Sequence, residues 1–115
     1  MDWFSAEICF HACKFQPGSR AYNAVLSAKT SRDAFNIAKA YENERRNDWF
    51  SVNVQIMFEI LQCKFSSGKE REILKETNDK ILVEHTSNDN FWGDGHGKGR
   101  NTLGRLLMRV RNEIL

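Results

Sequence analysis

Apolar residues recur at helical spacing through most of the chain, broken by short polar stretches and by one glycine-studded segment near the C-terminal end. In SAEICFHACKF, Ile8, Ala12 and Phe15 make an apolar stripe and Ser5 stands where a cap would. The pattern predicts a first helix over Ala6–Phe15, ended by Pro17-Gly18. Ser19 starts a short second helix to about Ala28. Thr30 with Asp33 makes a capping-box-like pair ahead of Ala34, Phe35, Ile37, Ala38 and Tyr41, whose spacing predicts a core helix. After the polar turn ENERRND, Asn47 or Asp48 caps the longest helix, to about Phe65, with Trp49, Val52, Ile56, Met57, Ile60 and Leu61 along its buried side. WFS followed by CKF occurs at residues 3–15 and again at 49–65, which predicts two similar helices packed near each other.

Ser67 with Glu70 opens a short helix to about Thr77, and Asn78-Asp79 turns the chain into KILVEH. There Ile81–Glu84 reads as the one convincing strand, which needs a partner from elsewhere in the fold. A last helix opens at Asn101 or Thr102, with Leu103, Leu106, Leu107, Val110 and Ile114 as its stripe and Arg105, Arg109 and Arg111 off it. The expected fold class is mainly α with a minor β component.

Composition narrows the function classes. A chain of 115 residues fits one domain with a single core. With 41% hydrophobic and 28% charged residues it is no disordered chain, and a net charge of +2 is too small to argue by itself for nucleic acid. No stretch approaches the roughly 20 apolar residues of a membrane span. MDWFSAE lacks the basic and apolar runs of a secretory leader. Three cysteines without such a leader read as reduced thiols, so a cytoplasmic protein with no membrane association is expected.

The candidate chemistry gathers in Ser87–Arg111, where Gly93, Gly95, Gly97 and Gly99 alternate ahead of the last helix. Alternating glycines allow positive φ and close approach of a ligand to the amides. The following helix start offers N–H groups and a positive dipole end to a phosphate, which Lys98 or Arg100 would help to hold. Asp89 and Trp92 at the front of the loop supply a carboxylate and an indole, as gripping and hydrolysing a sugar–base compound requires. The same spacing also suits a plain glycine-rich turn capping a helix. On the first helix Glu7, His11 and Lys14 fall at i, i+4 and i+7, hence on one face, either as a solvated polar face or as groups converging in a pocket. Trp49 sits in a first helical turn, where an indole can edge a pocket.

Other motifs fail. Gly97-Lys98 is followed by glycine instead of Ser or Thr, so the loop is no Walker loop, and G-x-G-x-G-x-G is not a dinucleotide fingerprint. Cys9, His11 and Cys13 alternate, but i and i+2 point apart on a helix, so no zinc site is expected. Cys63 lies at a helix end that looks buried and reads as inert core. No cofactor is called for.

Taken together, EICFHACKF, NDWFSVNVQIM, KF, ILVEHTSNDNFWGDG and GRNTLGRLLMRVR resemble the NADAR, or YbiA-like, family from Ser5 to Arg111. That family pairs a Glu and Lys-Phe on one helix with a Trp before a Met-containing helix, D-x-x-W-G-x-G, and a closing N-x-L-G-x-x-L-M-x-x-R. The resemblance implies one compact, mostly helical YbiA-like domain over residues 1–115, acting on N-glycosidic bonds. Family activities include removing ADP-ribose from guanine bases and cleaving ribosylated riboflavin-pathway intermediates. Glu7, Lys14, Trp49, Asp89, Trp92, Gly93 and Asn101 match the family's functional positions. Two departures stand out. Family members usually begin earlier, with strands and an aromatic segment beside the pocket, and His11 stands where Gln is more usual.

The expected function is therefore an N-glycosyl hydrolase acting on an ADP-ribosylated, guanine-type base or a related ribosyl-nucleotide. Glu7, Lys14 and Asp89 are its catalytic groups, and Trp49, Trp92, Gly93, Gly95, Lys98 and Asn101 bind substrate. Glu7 and Asp89 would flank the sugar and stabilise an oxocarbenium-like transition state. Lys14 would hold a phosphate or hydroxyl as a point charge, or attack C1′ and form a transient Schiff base. The same residues also fit a module that binds ADP-ribose without turnover, an N-glycosidase of riboflavin-pathway intermediates, and an enzyme whose ADP-ribose is carried on DNA or RNA.

Overall fold

A computed structural model describes residues 3–86 and 89–115, with side chains from Ala6 onward; Ser87 and Asn88 of the glycine segment lie outside the described residues. The chain divides into two packing units, Met1–Lys64 and Phe65–Leu115. The fold is mainly α, as the spacing predicts.

The first unit holds α1 (Trp3–Ala12), α2 (Arg20–Leu26), α3 (Ser31–Ala40), a 3-10 turn at Glu42–Glu44 and α4 (Trp49–Lys64). Helix α1 is the hub: α2, α3 and α4 all pack on it, and α2 also packs on α3. The α1–α4 contact joins the two helices that carry the WFS–CKF echo. Alanines make the close crossings: Ala12, Ala21, Ala34 and Ala38 are buried with Ile8, Phe15 and Val25. Local caps fix the helix starts, with Ser19 Oγ accepting from Tyr22 N at 3.2 Å and Thr30 Oγ1 from Asp33 N at 3.0 Å.

Four details correct the sequence reading of this unit. Helix α1 starts at Trp3, so Ser5 lies inside it, and it ends at Ala12, three residues before Phe15. Past that point the ladder tightens, with Lys14 N on His11 O at 3.2 Å and Phe15 N on Ala12 O at 3.1 Å. On α4 the buried residues include Trp49, Met57, Phe58 and Leu61, whereas Val52, Ile56 and Ile60 are half-buried. Phe35 leaves the α3 core: it sits about 100° round the helix from Ala34 and is 45% exposed.

The second unit holds α5 (Gly68–Glu76), α6 (Thr102–Ile114) and the irregular chain between them, and α5 packs on α6. Ser67 occupies the cap position of α5 without a side-chain hydrogen bond, so the Ser67–Glu70 capping box does not form. Leu103, Leu106 and Val110 are buried on α6. Arg111, expected off that stripe, is buried too, because its Nη1 donates to Thr77 Oγ1 at 3.0 Å and to Lys80 O at 2.7 Å. The guanidinium thereby ties the end of α5 to α6.

The expected strand at Ile81–Glu84 is a correction. Among the described residues there is no strand, and 81–86 has no regular secondary structure. Its polar groups are nevertheless engaged along one edge. Leu82 O accepts from Asn101 Nδ2 at 2.9 Å and Glu84 N donates to Asn101 Oδ1 at 2.9 Å. Glu84 O accepts from Asp94 N at 2.8 Å, Thr86 N donates to Asp94 Oδ1 at 3.0 Å, and Thr86 O accepts from His96 N at 3.0 Å. The Asn101 carboxamide bonds the residues on either side of Val83, as one peptide of a parallel neighbour does. The missing partner is the glycine loop itself.

Candidate active site

In the first unit the candidate residues assemble around the end of α1. Glu7, half-buried, and His11, buried, are one turn apart on one face. Lys14 follows just beyond the helix, where Arg46 N donates to Lys14 O at 2.8 Å and fastens this corner to the segment entering α4. Arg46 is itself held by a forked pair to Asp48, at 2.6 and 3.0 Å. Asp48 O accepts from Ser51 N and Val52 N and so opens α4 with Trp49 in its first turn. As a result the Lys14 ammonium lies 5.8 Å from the centre of the Trp49 ring and 6.0 Å from that of Phe35. Trp49 is only 3% exposed and packs at 5.0 Å on Phe10, so its indole is a wall with a fixed orientation.

The electrostatics of this corner are unusual for a helix end. Burial, and then the nearby Arg45 guanidinium, hold the Lys14 ammonium below the ordinary lysine range. Among the described residues no carboxylate is paired with Lys14. His11, 9% exposed, is pushed down to about 4 by burial and by the Lys14 charge, so it is a neutral imidazole at neutral pH. Its Nδ1 is buried and has no hydrogen-bond partner among the described residues. Its ring meets Phe10 edge-on at 5.7 Å and Phe35 edge-on at 5.8 Å.

The second unit gathers Asp89, Trp92, Gly93, Gly95, Lys98 and Asn101 in one loop. Asp89 Oδ1 accepts from Phe91 N at 3.0 Å and Trp92 N at 2.9 Å, an Asx turn that shapes the loop, while Thr86 Oγ1 donates to Asp89 O at 2.7 Å. Trp92 is half-buried and meets Phe91 edge-on at 5.0 Å. Lys98 and Arg100 are exposed and line a shallow cleft with Asn90 and Phe91, the Arg100 guanidinium lying 5.8 Å from the Phe91 ring centre.

The expected amide seat for a phosphate is largely occupied by the protein's own carbonyls. Arg100 N donates to Asn90 O at 2.7 Å, Asn101 N to Gly93 O at 2.9 Å, Thr102 N to Phe91 O at 2.9 Å and Leu103 N to Trp92 O at 3.0 Å. Asp94 N and His96 N bond the 81–86 segment, and Gly99 N bonds Asp94 O. The start of α6 is thus capped by backbone, and its amides do not form the expected open seat for a phosphate. Close packing accounts for Gly93, where a Cβ would stand within 2.6 Å of the Thr86 side chain. Asn101, with φ 52°, holds the left-handed cap of α6 while its carboxamide serves the 81–86 segment.

Sequence reasoning missed one member of the first-unit corner. Phe35 was assigned to the core, although its position one residue beyond Ala34 already places it on the flank. His11 was legible through its place between Glu7 and Lys14 on one helical face. Cys63 is exposed where the sequence places it in the core, and with Cys9 and Cys13 it lines a cleft of the first unit. Among the described residues no group of three or more His, Cys, Asp or Glu is placed to hold a metal ion, and no helix is long and apolar enough to cross a membrane.

Comparison with known proteins matches the NADAR domain model over residues 1–115. A riboflavin biosynthesis protein of Vibrio vulnificus is 40% identical over 97% of this chain, which spans 31% of that protein's length. The N-glycosidase YbiA of Escherichia coli is 38% identical, with 97% of this chain and 71% of that protein aligned. The solved NMR structure of Escherichia coli YbiA superimposes with a TM-score of 0.82 at 37% identity, covering 95% of this chain and 66% of that one.

Proposed function

The chain belongs to the NADAR domain family, and from that premise we propose that it hydrolyses the N-glycosidic bond of a ribosyl-nucleotide, with an ADP-ribosylated guanine-type base as the preferred substrate and ribosylated riboflavin-pathway intermediates as the other candidates. The relatives named N-glycosidase and riboflavin biosynthesis protein support the reaction class. The observation that carries the proposal is the half-buried Lys14 amine, flanked by the Trp49 and Phe35 rings and without a carboxylate partner among the described residues. An amine held below the ordinary lysine range gives up its proton more readily than an exposed lysine does, which suits a nucleophile.

The steps follow from that amine. Lys14 Nζ attacks C1′, the C1′–N bond breaks with its electron pair going to the base nitrogen, and a carboxylic acid protonates the leaving base. Glu7, on the α1 face that leads to Lys14, takes that role in this assignment, and Asp89 of the second unit is a further candidate carboxylate. The lysine nitrogen then loses its proton, its lone pair opens the ring at C1′–O4′, and O4′ takes up a proton, leaving an imine on Lys14. Water adds at C1′ and expels the amine, releasing the free sugar. Each unit by itself supports part of this reading: in the first, Trp49 walls the amine, and in the second, Trp92, Lys98 and Arg100 offer an indole and two cations to an anionic nucleotide. Gly93, Gly95 and Asn101 give the loop its shape.

Incubation with ADP-ribosylated guanosine and, separately, with a ribosylaminopyrimidine phosphate, with chromatographic detection of the released base, tests the reaction. Borohydride should trap a sugar on Lys14 during turnover, and peptide mass spectrometry locates it. Release of base without any trapped adduct overturns the imine route; no release from either substrate overturns the reaction class.

A further inference from the structure

The segment 80–86 of the second unit has two backbone edges, and the chain uses only one of them. In an extended chain the backbone groups of successive residues point to opposite edges, so Leu82, Glu84 and Thr86 share one edge and Ile81, Val83 and His85 the other. On the first edge, Leu82 O and Glu84 N are bonded to Asn101, and Glu84 O, Thr86 N and Thr86 O to Asp94 and His96. On the second, the N–H and C=O groups of Ile81, Val83 and His85 have no hydrogen-bond partner among the described residues. The side chains of Ile81 and Val83 are 80% and 41% exposed. Natural proteins usually blunt such an open ladder with a proline, a bulge or an inward charge. No proline interrupts KILVEHT.

We propose that this edge is an interface between two copies of the chain, paired antiparallel about a two-fold axis at Leu82. An open edge accepts an extended chain, and Lys80–Glu84 is complementary to itself when reversed. In that register Ile81 exchanges both backbone bonds with the second copy's Val83, and Val83 with the second copy's Ile81, giving about four N–H···O bonds. Each exposed aliphatic side chain is thereby set opposite another. On the other face Leu82 meets the second copy's Leu82, and Lys80 stands directly across from the second copy's Glu84, twice over by symmetry. Lys80 and Glu84 are exposed, and neither is in an ion pair among the described residues, so both charges are available. A parallel pairing in register would set lysine beside lysine and glutamate beside glutamate. Charge therefore selects the antiparallel arrangement. The interface is independent of the N-glycosidase reading.

Analytical ultracentrifugation of the chain from about 10 µM to about 1 mM should show a monomer–dimer equilibrium, weak because so short an edge buries less than a standard interface. Val83→Pro removes an outward N–H that serves no bond within the chain, and should raise the dissociation constant about tenfold or more. Glu84→Lys or Lys80→Glu alone sets like charges across the axis and should raise it about threefold or more, while the two together should return it to within about twofold of wild type. Circular dichroism checks that each variant keeps its helices. In an equal mixture of carbon-13-labelled and unlabelled chains, an isotope-filtered NOE should join Leu82 Hα of one copy to Leu82 Hα of the other. A monomer throughout, whether the Val83 amide exchanges freely or is protected by another segment, overturns the proposal. So does a dimer indifferent to Val83→Pro, a charge reversal that the double variant does not restore, or an intermolecular NOE that joins other residues instead.

Discussion

Lys14 and Trp49 face each other across the junction of α1 and α4, with the ammonium nitrogen 5.8 Å from the ring centre. The Arg46 amide on the Lys14 carbonyl, at 2.8 Å, holds the two elements at that spacing. If the amine is the nucleophile, Lys14→Ala should abolish turnover while ADP-ribose binding stays within about tenfold. Lys14→Arg should be as inactive, since a guanidinium keeps its proton. Parallel turnover assays and calorimetric titrations check both, and an active Lys14→Arg variant would reduce the lysine to a point charge.

Trp49 has a structural as well as a local role. It is 3% exposed and packs on Phe10, so Trp49→Ala should destabilise the first unit by about 3–5 kcal/mol. Urea unfolding at neutral pH measures the loss, and Trp49→Phe should recover much of it.

His11 gives the fold a defined response to acid. Its folded value of about 4 lies below the ordinary 6.5, so between those values the unfolded chain binds more protons than the native one. Stability should therefore rise with pH across that window and fall as the solution is acidified from about 6.5 towards 4, by at most roughly 3 kcal/mol. Unfolding free energies of wild type and His11→Gln, compared at several pH values, isolate this contribution: the variant should show the shallower slope, and parallel slopes would contradict the assignment.

Asn101 makes two hydrogen bonds to backbone 17 and 19 residues away, while standing in left-handed conformation. Asn101→Ala loses both bonds and strains the cap, so a loss of about 2–4 kcal/mol is expected, with Asn101→Gly intermediate. Native-state hydrogen exchange gives the local readout: the Glu84 amide, which donates to Asn101 Oδ1, should lose protection in both variants.

Gly104 provides a test in which propensity and packing have opposite signs. Alanine is the better helix former by about 1 kcal/mol, yet at this position its methyl would meet the Leu82 carbonyl oxygen and stand within 2.6 Å of Asn101 Oδ1. Packing should prevail, with Gly104→Ala destabilising by about 1–3 kcal/mol in thermal or chemical unfolding.

What the sequence made legible was local. Thr30 bonds Asp33 N three residues on, the 103–106–110 stripe is one helical face, and Glu7 and His11 are separated by one turn; each follows from spacing alone. The rest depends on partners distant in sequence. Arg111 reads as a surface arginine until Thr77 and Lys80, 34 and 31 residues away, appear beside it. KILVEH has the composition of a strand, but a strand is defined by its neighbour, and here that neighbour is a carboxamide and a loop. Alternating glycines look the same whether they admit a phosphate or a threonine side chain, and at Gly93 it is Thr86 that comes close. Phe35 was misplaced because helical periodicity marks a broad arc and does not by itself locate its border.

The carbonyl-capped start of α6 has a consequence for how the glycine loop evolves and binds. With the amides of Arg100, Asn101, Thr102 and Leu103 each bonded to Asn90, Gly93, Phe91 and Trp92, reshaping the loop means unwinding the first turn of the helix that follows. A visiting molecule therefore meets a preset scaffold and loses little affinity to ordering it. Changes of preference among descendants should accordingly accumulate at outward side chains such as Asn90, Lys98 and Arg100, leaving the backbone path inherited intact.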